Sequence, residues 1–306
     1  MPGSAISVRG LRMAYGGREA VRGIDLEVAE GEVFAFLGPN GAGKTTTVEI
    51  LEGYRTRTGG VVEVLGVDPA RADAAWRGRV GVVLQESEHD PNLTVRETVA
   101  QYAGYYSAPR DVAETIALVG LTEQSGQRAR RLSGGQQRRL DVALGLVGDP
   151  ELLFLDEPTT GFDPGARRGA WEVVAGLRTL GKTIFLTTHY MDEAQALADR
   201  VAIIVAGEIV ALGAPAELGG RESAPSRIAF ALPEDAALPA LSALEGTPER
   251  TGGRVELRTH APLEVLHALT GWALAEHQAL TGLDVSQPSL EDVYLQLTAA
   301  PEDVPG

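Results

Sequence analysis

Three features of this chain could act together on phosphate: a lysine in a glycine loop, a pair of adjacent carboxylates, and polar residues that end apolar strands. The loop is 38–46, GPNGAGKTT. A Gly, four open positions and Gly-Lys-Thr is the spacing of a phosphate loop, set here between an apolar run and a periodic segment. Gly38, Gly41 and Gly43 let the backbone turn tightly, so main-chain N–H groups can converge on phosphate oxygens. Pro39, Asn40 and Ala42 fill the open positions, and Thr46 continues into the helix. That helix adds its own free N–H groups and its positive end. Lys44 supplies a compact charge for β- and γ-phosphates, and the Thr45 hydroxyl is placed for Mg²⁺.

The carboxylates are Asp156 and Glu157, which close the apolar run 152–155 and precede Pro158. Asp156 can hold Mg²⁺ directly or through water, and Glu157 can polarise a water aimed at a γ-phosphate. Two more apolar runs end in polar residues: 80–84 at Gln85, and 182–187 at Thr188 and His189. In an open α/β sheet, ligands lie beyond the carboxyl ends of the strands. Gln85 reads equally as a loop residue, and His189 as a structural donor. Tyr15, beside a Gly16-Gly17 turn, could stack on an adenine ring or be an ordinary surface tyrosine.

A second anion receptor is written at 132–136, LSGGQ. Ser133 can cap a helix whose third residue is Gln136, the spacing of a capping box. Gly134 and Gly135 weaken that first turn by roughly 1 kcal/mol each but leave its N–H groups uncovered. Arg128 to Arg131 is locally basic, which a solvated face explains as well as a functional one.

These residues need a scaffold. Residues 6–13 and 21–28 alternate as half-buried strands of an antiparallel piece. Strands are expected at 33–37, 61–65, 80–84, 152–155, 182–187 and 201–205, with a hairpin at Gly207 into 209–212. Helices are expected at 45–51, 165–180 and 191–197. The stretch 93–147 is helical throughout, opened by a Thr94–Glu97 capping box. Tyr102, Tyr105 and Tyr106 read best as packing residues there. A short helix is expected at 215–218. Strands alternating with helices indicate a largely parallel α/β sheet. Around 219–225 Gly, Ser and Pro rise and the phosphate motifs end. The reading is therefore a nucleotide-binding domain over 1–220, a small α+β accessory domain over 221–300, and a tail from Ala299, 301–306 lying beyond both domains.

The chain has 306 residues, 44% hydrophobic, enough for one sizeable core and a smaller one. It has no cysteine, which excludes disulfides, thiol catalysis and Cys-based zinc sites. No run is long and apolar enough to span a bilayer, and residues 1–10 lack the pattern of a signal peptide, so a reducing, cytoplasmic setting is expected. The net charge of -15 disfavours broad nucleic-acid binding. Only two lysines occur, Lys44 and Lys182. Arginine fills the other basic roles, yet its branched fork would not substitute cleanly inside a phosphate nest.

On these motifs the chain resembles the ATP-binding subunit of an ABC transporter, and within that family the drug-resistance branch that includes daunorubicin-type ATPases. The resemblance covers nearly the whole chain. It implies an ABC-type P-loop NTPase core with an N-terminal antiparallel β part and a helical insert. Gln85 is similar to the glutamine that contacts Mg²⁺ and water and relays to the membrane partner. The stretch 132–136 matches the signature motif. Asp156 and Glu157 match the metal-binding aspartate and catalytic glutamate, and Asp163 the aspartate that crosses the dimer interface. His189 matches the switch histidine and Tyr15 the adenine-stacking aromatic. GFDP (161–164) and the ending SLEDVYLQLT point to the drug-resistance branch. The resemblance implies ATP and Mg²⁺ at two sites shared by a head-to-tail pair, Ser133, Gly134, Gly135 and Gln136 of one copy covering the nucleotide of the other. It implies an ABC-2 type permease as the membrane partner, docked near the helical insert and the loop after Gln85, and efflux of a drug or small hydrophobic compound. A soluble ABC-type ATPase, or an ATP-switched regulatory module without turnover, is the alternative.

Overall fold

The runs with the least polar alternation are strands buried on both faces, as strands must be when helices cover both sides of a parallel sheet. A computed structural model describes residues 3–84, 89–220, 224–233, 236, 238–241, 244–245, 247–287 and 289–298. In chain order the first unit, Met1–Pro215, contains β1 (Ser4–Tyr15), β2 (Arg18–Ala29), β3 (Val33–Leu37), α1 (Lys44–Leu51), β4 (Gly59–Val64), α2 (Ala74–Arg77) and β5 (Val80–Val83). It continues with α3 (Val95–Ala103), α4 (Val112–Leu118), α5 (Gly134–Leu146), β6 (Leu152–Asp156), α6 (Pro164–Thr179), β7 (Thr183–Thr188), α7 (Met191–Leu197), β8 (Arg200–Val205) and β9 (Glu208–Gly213).

Six strands form one sheet in the order β5-β6-β7-β3-β8-β9, parallel except for the β8–β9 hairpin. Its register levels the carboxyl ends: Leu37 pairs with Thr188, Asp156 with Thr187, and Val83 with Leu155. All the expected polar strand ends among the described residues therefore meet at one edge. Phe34 and Phe154 each lie 5.5 Å from the Phe185 ring, which fills the sheet's middle. The N-terminal sheet is antiparallel, β2-β1-β4. β4 belongs to this sheet rather than the parallel one: β1 pairs with β2 along one edge and with β4 along the other.

The helical insert holds α3, α4 and α5. Both expected capping boxes form: Thr94 with Glu97, and Ser133 with Gln136. Tyr106 lies over Gly148, but Tyr105 is 74% exposed, so the expected packing role fails for that ring. α5 presses unusually close to β5. A Cβ on Gly81 would sit 2.4 Å from the Gly145 carbonyl oxygen, so only glycine fits there.

The second unit, Ala216–Gly306, contains β10 (Ser226–Ala231), β11 (Glu249–Thr251), β12 (Arg254–Thr259), α8 (Pro262–Ala275), β13 (Thr281–Ser286) and α9 (Leu290–Thr298). Its antiparallel sheet runs β11-β12-β10-β13. Ile228, Phe230, Val255 and Leu257 pack with Val265 and Leu269 of α8. The expected helix at 215–218 is instead a single turn, Leu218–Gly220, with Gly219 against Val293 of α9. The division falls at Pro215, five residues before the expected boundary. The tail from Ala299 lies outside the described residues.

Candidate nucleotide site

The phosphate loop follows β3, a strand flanked on both sides by parallel neighbours. Its glycines do different work. Gly41 and Gly43 have φ of 79° and 107°, the left-handed region that side chains disfavour. Gly38 has no such angle. It is needed because a Cβ there would stand 2.3 Å from the Ile204 carbonyl oxygen. Lys44 opens α1 and folds back over the loop, donating to the carbonyl oxygens of Gly38 (2.6 Å) and Pro39 (3.2 Å). An ammonium has three donors, so one proton remains for a ligand. Burial pushes Lys44 below its ordinary value, and the carboxylates of Glu157 and Asp156 oppose that shift.

A cavity of ≈ 230 Å³ opens here, lined by Ala20 and by Asn40, Gly41, Gly43, Lys44, Thr45 and Thr46 of the loop, with Asp156 and Glu157 opposite. One wall offers N–H groups and an ammonium, the other two carboxylates. Phosphate oxygens fit the first wall. Asp156 and the exposed Thr45 supply hard oxygens suited to Mg²⁺. Ala42 is buried beneath the loop, and Gly207 N donates to its carbonyl oxygen (2.9 Å).

Glu157 leaves β6 with φ of 45°, rare for a residue with a side chain. Its amide donates to the carbonyl and hydroxyl oxygens of Thr187, both at 3.1 Å. The same hydroxyl donates to Asp156 Oδ1 at 2.5 Å. Thr160 Oγ1 donates to Glu157 Oε2 (2.9 Å), and His189 Nδ1 lies 3.4 Å from Glu157 Oε1. Thr187 and Thr160 were not singled out by sequence. The signal for Thr187 was its place at the carboxyl end of a buried strand, two residues before His189.

Tyr15 stands at the loop's side, its hydroxyl 3.4 Å from Thr46 Oγ1 and its ring faced by Arg55 at 5.2 Å. It does not line the cavity. Ser133, Gly134, Gly135 and Gln136 do not line it either. Ser133 and Gly134 are exposed at the start of α5, where Ser133 Oγ accepts from Gln136 N and Ser133 N donates to Gln136 Oε1. Asp163 caps α6, accepting from Gly165 N and Ala166 N at 2.9 Å. Gln85 lies outside the described residues.

Residues 21–160 match the family model described as "ABC transporter", and 226–289 match "ABC transporter domain-containing protein-like, C-terminal domain". A linearmycin resistance ATP-binding protein of Bacillus subtilis is 34% identical over 96% of this chain and 98% of its own. The chain belongs to the ATP-binding proteins of ABC transporters. A daunorubicin resistance ATP-binding protein of Streptomyces coeruleorubidus is 38% identical over 97% of both chains. A Nod factor export ATP-binding protein of Cupriavidus metallidurans is 39% identical over 96% of this chain and 97% of its own. Among solved structures, "cbiO1" of Clostridium perfringens, part of the ABC transporter complex cbiONQ, aligns with a TM-score of 0.65 and 27% identity, covering 70% of this chain and 90% of that one. This ABC protein is thus an ATP-binding, ATP-hydrolysing transporter subunit. Subunits of this family work in pairs on a membrane permease. Among the described residues no helix is long and apolar enough to cross a membrane.

One carboxyl beside the site is held out of its ordinary range. Glu52 follows α1, and its Oε1 is buried without a hydrogen-bond partner. Burial, with the charges of Asp156 and Glu49 behind it, raises Glu52 to about 8. The folded chain therefore holds this proton more tightly than the unfolded chain does. The stabilisation is complete below the usual carboxylate range and is lost as pH rises through about 8. Glu52→Gln should remove that loss. In thermal melts, the variant's Tm should gain on the wild type between pH 5 and pH 9, and a constant gap would show that the carboxyl ionises freely in the fold.

Proposed function

We propose that this subunit drives efflux of a drug-like or other small hydrophobic compound through a separately encoded ABC-2 type permease. The single observation that supports this most is near-full-length similarity to proteins named for resistance and export, running past 215 into the accessory unit. A permease on the inner face of the cell membrane would hold the chain there as a peripheral subunit.

Within the site, Glu157 is the general base, its carboxylate steadied by Thr160 and facing His189. His189 contacts the γ-phosphate, and Gln85 relays the state of the site to the permease. Gly38 to Thr46 hold the phosphates, with Lys44 as the charge. Mg²⁺ would be held by Thr45 and Asp156, with Gln85 a further contact on the family resemblance, and would neutralise charge on the β- and γ-phosphates. Tyr15 stacks on the adenine.

The exposed start of α5 supports a shared site. Its glycines are not among the residues lining the chain's own cavity, so a second copy turned head to tail would give their N–H groups a phosphate to bind. Asp163 caps α6 at the same interface.

The test is co-expression with the candidate permease and assay of membrane vesicles with daunorubicin as the probe. ATP-dependent accumulation in inside-out vesicles, abolished by omitting either subunit, is the expected result. Hydrolysis by a chain that never co-purifies with the permease would overturn the reading.

A further inference from the structure

Arg138 is a buried cation, 7% exposed, on the first turns of α5. A guanidinium in such a place must find acceptors in the protein, because an unpaired buried charge is costly. Its acceptors include main-chain carbonyls at the sheet's carboxyl edge. Nη2 donates to Asp156 O (2.6 Å), Nε donates to Pro158 O (3.2 Å), and Nη1 donates to Leu84 O. Nη1 also lies 3.9 Å from Asp141 Oδ2 on the same helix.

The choice of carbonyls matters more than their number. Asp156 and Pro158 are the residues on either side of Glu157. The peptide between them turns through φ of 45°, a conformation that costs a residue with a side chain on the order of 1–3 kcal/mol. One planar fork therefore holds both shoulders of a strained residue. From the other side Thr187 holds the Glu157 amide. The third carbonyl, Leu84, is the last described residue before Gln85.

We propose that Arg138 is a positioning residue for Glu157, fixing the left-handed turn that aims its carboxylate, and that it ties this posture to the placement of α5. The inference rests on the reading of Glu157 as the general base. Arg138 lines no part of the phosphate cavity, so it has no direct claim on the nucleotide. A methionine keeps much of the side-chain length but holds no carbonyl. A lysine keeps the charge but cannot span three carbonyls with one planar group.

The test uses the full-length chain, with Mg·ATP turnover and nucleotide affinity measured on wild type, R138M, R138K, E157Q and R138M/E157Q. R138M is expected to lower kcat by at least about 10-fold, with Kd for ATP within about 2-fold, since small misplacements of a reacting group cost that much or more. R138K should fall between R138M and wild type. Adding R138M to E157Q should lower the residual rate no further, because the two act through one group. Should R138M fail to fold, R138K decides by the same split between kcat and Kd. Wild-type kcat in the folded variant, or a loss of ATP affinity as large as the loss of turnover, overturns the proposal. If E157Q itself turns over like wild type, the base assignment fails instead; if E157Q is dead and R138M is not, the positioning role fails alone.

Discussion

Glu157→Gln is expected to bind ATP as the wild type does and to lose at least about 100-fold in turnover, the range associated with removing a general base. The amide keeps the shape of the carboxylate, so its main chain can retain the φ of 45° and both bonds to Thr187. An amide oxygen can still accept from Thr160 Oγ1, as Oε2 does now at 2.9 Å. What it cannot do is take a proton from water. With binding intact and the chemical step gone, the ATP-loaded pair of subunits should persist, visible as an ATP-dependent dimer by light scattering. Steady-state phosphate release gives the rate and fluorescent-nucleotide titration the affinity. Turnover near the wild-type rate would remove Glu157 from the chemistry.

Lys44→Ala should act on the other half of the reaction, weakening ATP binding by about 100-fold, the loss of one charge-assisted hydrogen bond at ~1.5–3 kcal/mol. Among the described residues, Lys44 is the only lysine or arginine lining the cavity. Without it the incoming phosphates would face Asp156 and Glu157 with no opposing charge on the loop. Lys44→Arg should not restore affinity, because its fork must fit where an ammonium now bridges two carbonyls 2.6 and 3.2 Å away. Calorimetric titration with Mg·ATP measures both variants. An affinity within a few-fold of wild type would mean that Lys44 does not meet the phosphates.

Much of this site was readable because its chemistry is local. A phosphate loop, a capped glycine helix start and a strand ending in two acids are each set by a few neighbouring residues. Helix ends were legible for the same reason: Thr94 and Ser133 sit at capping spacing from Glu97 and Gln136, and both boxes form. What sequence did not give was partnership across strands. Thr187 is one of several threonines in an apolar run, and only the β6–β7 register places it between Asp156 and Glu157. Arg138 was not singled out by sequence, and only the packing of α5 on the sheet buries it. Gly38 was read as a turn glycine, whereas its real constraint is the Ile204 carbonyl on a strand far along the chain. In the accessory unit β13 is almost wholly exposed, so it lacked the burial contrast by which a strand announces itself.

The contact between Gly81 and Gly145 makes α5 a lever arm. Where two backbones touch without side chains between them, the helix has little room to slide. With a rise of about 1.5 Å per residue, Ser133 lies roughly 18 Å from that pivot and Arg138 roughly 10 Å. A tilt of about 10° would carry the helix start by roughly 3 Å and the base of the arginine by roughly 2 Å. The first distance is a hydrogen bond gained or lost at the glycine N–H groups. The second is enough to break a grip on the carbonyls beside Glu157. Seating a phosphate at the start of the rod and aiming the base from a point partway along it are, mechanically, the same displacement.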